Sequence, residues 1–280
     1  MISSPPPVVL ITGTSSGIGL HAALQAAQAG YRVIATLRNE HRAGALVAAA
    51  KQQGLELRPW ILDVTDPAAI ASVIGRVKAD YGRLDVLINN AGVAHVGTLE
   101  SLTDDDFRRA MDVNFFAVMN LTRAAMPLLR ACAGRVITIS SVGGVIGQPF
   151  NDAYCAAKFA VEGAMESFAP VAAAVGVDVV LVEPAAVASE FISNAPPISD
   201  NLTTADDPYA ALRAGYLKRT EAVFATAQDP REVADVLVRL AGEHNPPVRV
   251  QTSPGAARFV QAKLADLDGS AVQAITRGWI

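Results

Sequence analysis

The sequence predicts an α/β fold: a single doubly wound parallel sheet of about seven strands, with helices on both faces. Three observations predict it. Short apolar runs recur at 8–12, 31–36, 56–62, 84–88, 134–139 and 177–182, with 248–250 as a short seventh. Segments of helical composition fill the gaps between them. The runs are mostly continuously apolar rather than alternating, as strands covered on both faces are. Strands and helices that alternate at regular intervals build βαβ units, and those close into parallel sheet.

The first run, Val8 to Thr12, enters Gly13-Thr14-Ser15-Ser16-Gly17-Ile18-Gly19 directly, and an Ala-rich helix follows from Leu20 to Gln28, stopped by Gly30. Strand, glycine loop and helix start form a dinucleotide-binding context. Glycines let backbone approach a pyrophosphate, and the helix start offers unpaired N–H groups. The spacing is G-x-x-x-G-x-G. The second strand ends at Leu37-Arg38, with no acid before Glu40. A site for NAD usually carries an acid there for the ribose 2′-hydroxyl. A guanidinium instead matches a 2′-phosphate, so Arg38 predicts NADP(H), with NAD(H) as the alternative.

A helix is expected over 41–53 and a third strand over 56–62, ending at Asp63-Val64. Asp66-Pro67 reads as an N-cap and first helical residue of a helix to about Asp80. The fourth strand closes on Asn89-Asn90-Ala91-Gly92. Residues 104–130 read as one long helix with Asn114 inside it, where a buried amide must find partners. The fifth strand runs into Ser140-Ser141. The helix over 152–175 carries Tyr154 and Lys158. Residues four apart share a helix face, so an ammonium lies near a phenol and should lower its pKa. A phenol tuned in this way can pass a proton at neutral pH. Pro170 falls inside this helix, where proline usually kinks or ends it.

Composition bounds the rest. The chain has 280 residues, 51% hydrophobic and 18% charged, with a net charge of −4. That suits one domain over 1–280 and gives no footprint for nucleic acid. The two cysteines match no metal spacing and read as reduced thiols. No run approaches membrane-spanning length and no signal-peptide pattern opens the chain, so a cytoplasmic protein is the expectation. Residues 185–229 lose periodicity until Tyr209 and read as a substrate-loop insertion over the ligand crevice. Residues 245–280 read as a C-terminal extension that resumes helix over 256–264.

Taken together, the residues resemble the short-chain dehydrogenase/reductase family. The matching residues are Thr12-Gly13-x-x-x-Gly17-Ile18-Gly19, Asp63, Asn89-Asn90-Ala91-Gly92, Asn114, Ser141 and Tyr154-x-x-x-Lys158. Ala35-Thr36-Leu37-Arg38, Glu183-Pro184 and the Gln251-Thr252-Ser253 tail look like the branch that contains hydroxysteroid and retinol dehydrogenases. The resemblance implies roles. Tyr154 would be the general acid or base, Lys158 would lower its pKa and bind the nicotinamide ribose, and Ser141 would polarise the substrate oxygen. Asn114 would hold a water linking Lys158 to solvent. Gly13, Ser15, Ser16, Gly17, Ile18 and Gly19 would hold the pyrophosphate. Asp63 and Val64 would meet the adenine, and Asn90, Ala91 and Gly92 the adenosine ribose. Pro184, Val187 and Ser189 would line the nicotinamide. Two positions depart from the family pattern: Ala185 follows Pro184 where glycine is usual, and Ser189 replaces a threonine.

The resulting expectation is an oxidoreductase that moves a hydride between NADP(H) and an apolar ketone, secondary alcohol or aldehyde. Phe191, Ile192, Ile198, Val142, Val145 and Ile146 would supply apolar cavity walls. No metal is expected, and the family implies a homodimer or homotetramer. The alternatives are an NAD-dependent alcohol or hydroxysteroid dehydrogenase and a non-enzymatic NADP(H) sensor on the same fold.

Overall fold

The computed structural model describes residues 5–191 and 207–280. Seven parallel strands form one sheet in the order β3-β2-β1-β4-β5-β6-β7. They are β1 Val8–Ile11, β2 Arg32–Leu37, β3 Trp60–Ile61, β4 Val86–Asn89, β5 Arg135–Ile139, β6 Asp178–Glu183 and β7 Arg249–Gln251. Chain direction across the sheet reverses between β1 and β4. A crevice therefore opens beyond their carboxyl ends, where α/β sheets bind ligands.

Alternate residues of each strand serve opposite faces. Val8 and Leu10 of β1 pack on one side with α3 Pro67–Tyr81, α5 Ala117–Ala131 and α6 Asp152–Ala173. Val9 and Ile11 pack on the other with α1 Gly17–Gln28, α2 Gly44–Gln52 and α8 Pro230–Gly242. Each fully buried aliphatic side chain contributes about 1.5–3 kcal/mol relative to exposure. Both faces are needed, which is why the runs are continuously apolar.

Local signals act as read. Asp66 caps α3 by accepting from Ala68 N–H, and Pro67 begins it. Gly30 adopts φ +88° after α1. Four expectations need correction. The third strand is two residues long, because Pro59 has no N–H to donate and β3 lies at the sheet edge. The 104–130 helix is three pieces: α4 Asp104–Met111, a π-helical turn over Asp112–Phe116, and α5. Within the 185–229 insertion, Ala210–Phe224 is a full helix, α7. The C-terminal extension holds two helices, α9 Pro254–Leu264 and α10 Ser270–Arg277, where one was expected. Pro170 is tolerated inside α6 because only its last turn follows. Among the described residues, no helix is long and apolar enough to cross a membrane.

Candidate active site

The carboxyl ends of β1, β4, β5 and β6 converge on one cavity of about 930 Å³. The first two ends are clipped together. Thr12 Oγ1 accepts from the N–H groups of Asn90 and Ala91, each at 3.0 Å. Asn90 Nδ2 donates to the carbonyls of Thr12 at 2.7 Å and Gly13 at 2.9 Å. The glycine turn is built around this clip. A Cβ at Gly19 would sit 2.3 Å from the Gly13 carbonyl oxygen, so no larger residue fits there. Gly13 has φ +71°, and a Cβ on it would meet the Ala91 backbone at 2.9 Å.

Gly13, Ser15, Ser16, Gly17 and Ile18 line the cavity; Gly19 packs behind it. Ser16 stands at the N-cap of α1 without a side-chain cap, and the first turn carries no acid. The starting N–H groups are thus left for an anion. Gly17 faces Ser189, whose Cβ would lie 3.0 Å from an added one, so the loop after β6 closes on the glycine turn. The chemistry of this wall fits a dinucleotide.

One end of the cavity is polar. Arg38, exposed at the end of β2, lines it with Asn39 and Arg42, opposite Asp63 and Val64. Burial raises the Asp63 carboxyl, but hydrogen bonds from the Thr65 hydroxyl and N–H, with the Arg38 charge, bring it below its ordinary value. Asn90, Ala91 and Gly92 form the floor, and Pro184, Ala185, Val187 and Ser189 the far wall.

Ser141, Tyr154 and Lys158 meet at the middle of the same cavity. Ser141 Oγ accepts from Gly143 N–H at 3.0 Å. Lys158 Nζ donates to the Ile139 carbonyl at 2.8 Å and lies 5.9 Å from the centroid of the Tyr154 ring. The expected acidified phenol is not what this arrangement produces. Burial pushes the Tyr154 hydroxyl above its ordinary range, and a hydrogen bond with Ser141 only partly opposes that. Burial also pulls the Lys158 amine down to about 8, against the raising charge of Glu162. Burial sets the sign of the shift, so Tyr154 stays protonated at neutral pH.

Asn114 holds the wall from behind. It is buried in the π-helical turn and does not line the cavity. Its Oδ1 accepts from Val93 N–H and its Nδ2 donates to the Val93 carbonyl, both at 3.0 Å. Both ends of the amide are engaged in holding the cavity floor, and a Cβ on Gly92 would touch its Oδ1 at 3.0 Å.

The other end of the cavity is roofed by elements distant in sequence. Phe191 stacks edge-on to Tyr154 at 5.8 Å. Tyr216 of α7 is fixed by Asn151 Nδ2 at 2.5 Å, and Phe224, Phe259 and Trp279 complete the roof. Phe191 lines the cavity as expected, but the sequence reading missed Tyr216, Phe224, Phe259 and Trp279. Tyr216 and Phe224, eight apart on one helix face, were the available signal. Val142 lines the cavity as expected, but Val145 and Ile146 do not. They pack instead with Ala256, Val260 and Val272 beneath the C-terminal helices. Ile192 and Ile198 lie outside the described residues. Among the described residues, no cluster of His, Cys, Asp and Glu could hold a metal ion.

The family model for short chain dehydrogenase matches residues 7–197. The chain belongs to the short-chain dehydrogenases. It is 37% identical to human 17-beta-hydroxysteroid dehydrogenase type 1 over 94% of this chain and 82% of that one. It is 35% identical to Bos taurus retinol dehydrogenase 8, covering 96% and 88%. A solved short-chain dehydrogenase from Streptomyces avermitilis superposes with a TM-score of 0.79 at 32% identity, covering 99% of this chain and 97% of that one. The resemblance to the hydroxysteroid and retinol dehydrogenase branch therefore holds. This short-chain dehydrogenase is an oxidoreductase of a family that binds nicotinamide dinucleotides and acts on small alcohols and carbonyls.

Proposed function

We propose that the protein transfers a hydride between NADP(H) and an apolar ketone, secondary alcohol or aldehyde, with Tyr154 exchanging the proton. One observation carries this reading. A single cavity runs from Arg38, past the uncapped start of α1, to Ser141, Tyr154 and Lys158, and ends among aromatic side chains. Arg38 is the residue suited to a 2′-phosphate. The aromatic end suits an apolar body, since such pockets fix orientation with few polar groups.

Bound nicotinamide supplies the hydride. The chain's own residues do the rest. Ser141 and Tyr154 both present hydroxyls to the cavity, and a carbonyl oxygen accepting from both is polarised and oriented. Tyr154 is protonated in its buried setting, which suits it to donate to the oxygen of a carbonyl being reduced. Lys158, held by the Ile139 carbonyl, places a positive charge beside the ring that would carry the resulting phenolate. Phe191 and the roof residues exclude water from the reacting oxygen. The same reading takes the protein to be cytoplasmic and a homodimer or homotetramer, as the family resemblance implies.

The test is Tyr154→Phe, with a panel of steroid, retinoid, aliphatic and sugar carbonyls followed by NADPH absorbance. The variant should bind NADPH as the parent does and lose turnover by at least about a hundredfold. Retained turnover would defeat the assignment.

A further inference from the structure

Behind the catalytic lysine lies a group of buried charges that the reaction above does not use. Tyr154, Lys158, Glu162 and Glu166 follow one another at intervals of four along α6, so they share one face. That face leaves the cavity, passes two buried charges and surfaces at Glu166. Lys158 is 5% exposed, Glu162 4% and Glu183 of β6 0%. Burying a charge is costly unless it is paired.

The pairing here is incomplete. Arg249 Nε of β7 lies 3.2 Å from Glu162 Oε2 and 3.4 Å from Glu183 Oε1. The same guanidinium reaches out to Glu166 Oε2 at 2.6 Å. Gln251 Nε2 donates to Glu183 Oε2 at 2.9 Å. Glu162 Oε1, Glu183 Oε1 and Ser140 Oγ have no hydrogen-bond partner of normal geometry among the described residues. Gly144 packs against three of these residues. A Cβ at Gly144 would lie 2.5 Å from Ser140 Oγ, 3.0 Å from Glu162 Cγ and 3.1 Å from the Lys158 carbonyl oxygen. Two buried carboxyls thus share one half-exposed guanidinium, and Lys158, one helical turn from Glu162, is a buried cation on the same helix face.

We propose that Glu162 is a positioning residue for the reaction: from one turn beyond Lys158 it keeps that lysine charged and donating to the Ile139 carbonyl beside Tyr154. The proposal rests on the catalytic reading above. Lys158 is faced by Tyr154 and Glu162 from its own helix and by the Ile139 carbonyl from β5. Glu162 is faced by Lys158 and Glu166 from α6, Ser140 after β5, Glu183 from β6 and Arg249 from β7. Burial lowers the lysine to about 8, and the Glu162 charge is what opposes the fall. Burial raises Glu162 to about 7; Ser140 opposes that, Glu183 adds to it and Arg249 opposes it.

The test reads Lys158 directly. Intact protein is labelled with acetic anhydride across a pH series, and Lys158 acetylation is followed by mass spectrometry. The free amine reacts, so the midpoint reports its protonation. In Glu162→Gln the ammonium loses its stabilising charge, and the midpoint should fall by roughly one pH unit. The basic limb of kcat/KM should move down with it, and Glu162→Asp should recover part of the shift. A folded Glu162→Gln whose midpoint stays put, with Tm and kcat lowered at every pH, would make Glu162 a mere strut and overturn the proposal. Glu183→Gln approaches the same acid from its other side, and serves if Glu162→Gln fails to fold. It removes repulsion from Glu162, so the Lys158 midpoint should hold or rise; a fall would also overturn the proposal. Labelling needs no turnover, so a parent enzyme inactive on every carbonyl defeats the catalytic reading without deciding the midpoint.

Discussion

Arg38 and Tyr154 show how far a single residue can be read from its neighbours in sequence. Arg38 follows a strand that ends without an acid, and the structure sets it on the cavity wall with Asp63 close enough to feel its charge. A guanidinium–phosphate contact at a half-open site contributes about 1.5–3 kcal/mol, or roughly 10–100-fold in affinity. Arg38→Ala should therefore weaken NADPH binding by about that factor and leave NADH binding nearly unchanged, as fluorescence titration of both cofactors would show. Equal losses would remove the phosphate role. The case of Tyr154 is different. Spacing placed Lys158 on its face correctly, but the sign of its pKa shift depends on how dry the ring is. Desolvation is a property of the packed site, and there it decides the direction.

At the scale of elements, turn chemistry was legible and interruptions were not. The Asp66-Pro67 start of α3 and the glycine turn before α1 are local, and both form where the sequence places them. The break in the helical stretch over 104–131 is marked by one out-of-place amide. The π-helical turn buries Asn114, whose side chain replaces a backbone partner for Val93 at both N–H and carbonyl. Asn114→Ala would leave those two groups unpaired. It should cost about 2–3 kcal/mol in urea unfolding and lower turnover, because Val93 and Val113 line the cavity. A stability loss below about 0.5 kcal/mol would show that the amide bonds are replaceable.

The whole molecule is held by contacts that no local pattern announces. Arg135 opens β5, yet its guanidinium donates to Asp178 Oδ2 of β6 at 2.8 Å and to the Glu243 carbonyl at 2.6 Å beyond α8. It also donates to the Leu240 carbonyl. One side chain thus ties two strands to the carboxyl end of a helix about a hundred residues away. Arg135→Ala should lower the unfolding free energy by about 2–3 kcal/mol, and Arg135→Lys should recover little, since an ammonium lacks the planar fork that reaches three acceptors. Chemical denaturation of the three proteins checks both statements. Likewise, Gln228 donates to the Thr252 carbonyl at 2.9 Å and accepts from its hydroxyl at 2.7 Å, joining the loop before α8 to the C-terminal extension.

The sequence alone announced the parallel sheet, the glycine turn and the Tyr154–Lys158 pair. The sheet shows in continuously apolar runs that alternate with helices, and the turn and the pair depend on residues within a turn or two of one another, where spacing dictates geometry. Tertiary structure alone decided the rest of the aromatic roof, because Tyr216 and Phe224 of α7, Phe259 of α9 and Trp279 after α10 meet Phe191 only in the folded chain. It also decided which charges are dry. Burial is a sum over every neighbouring element, and no stretch of chain carries that sum by itself.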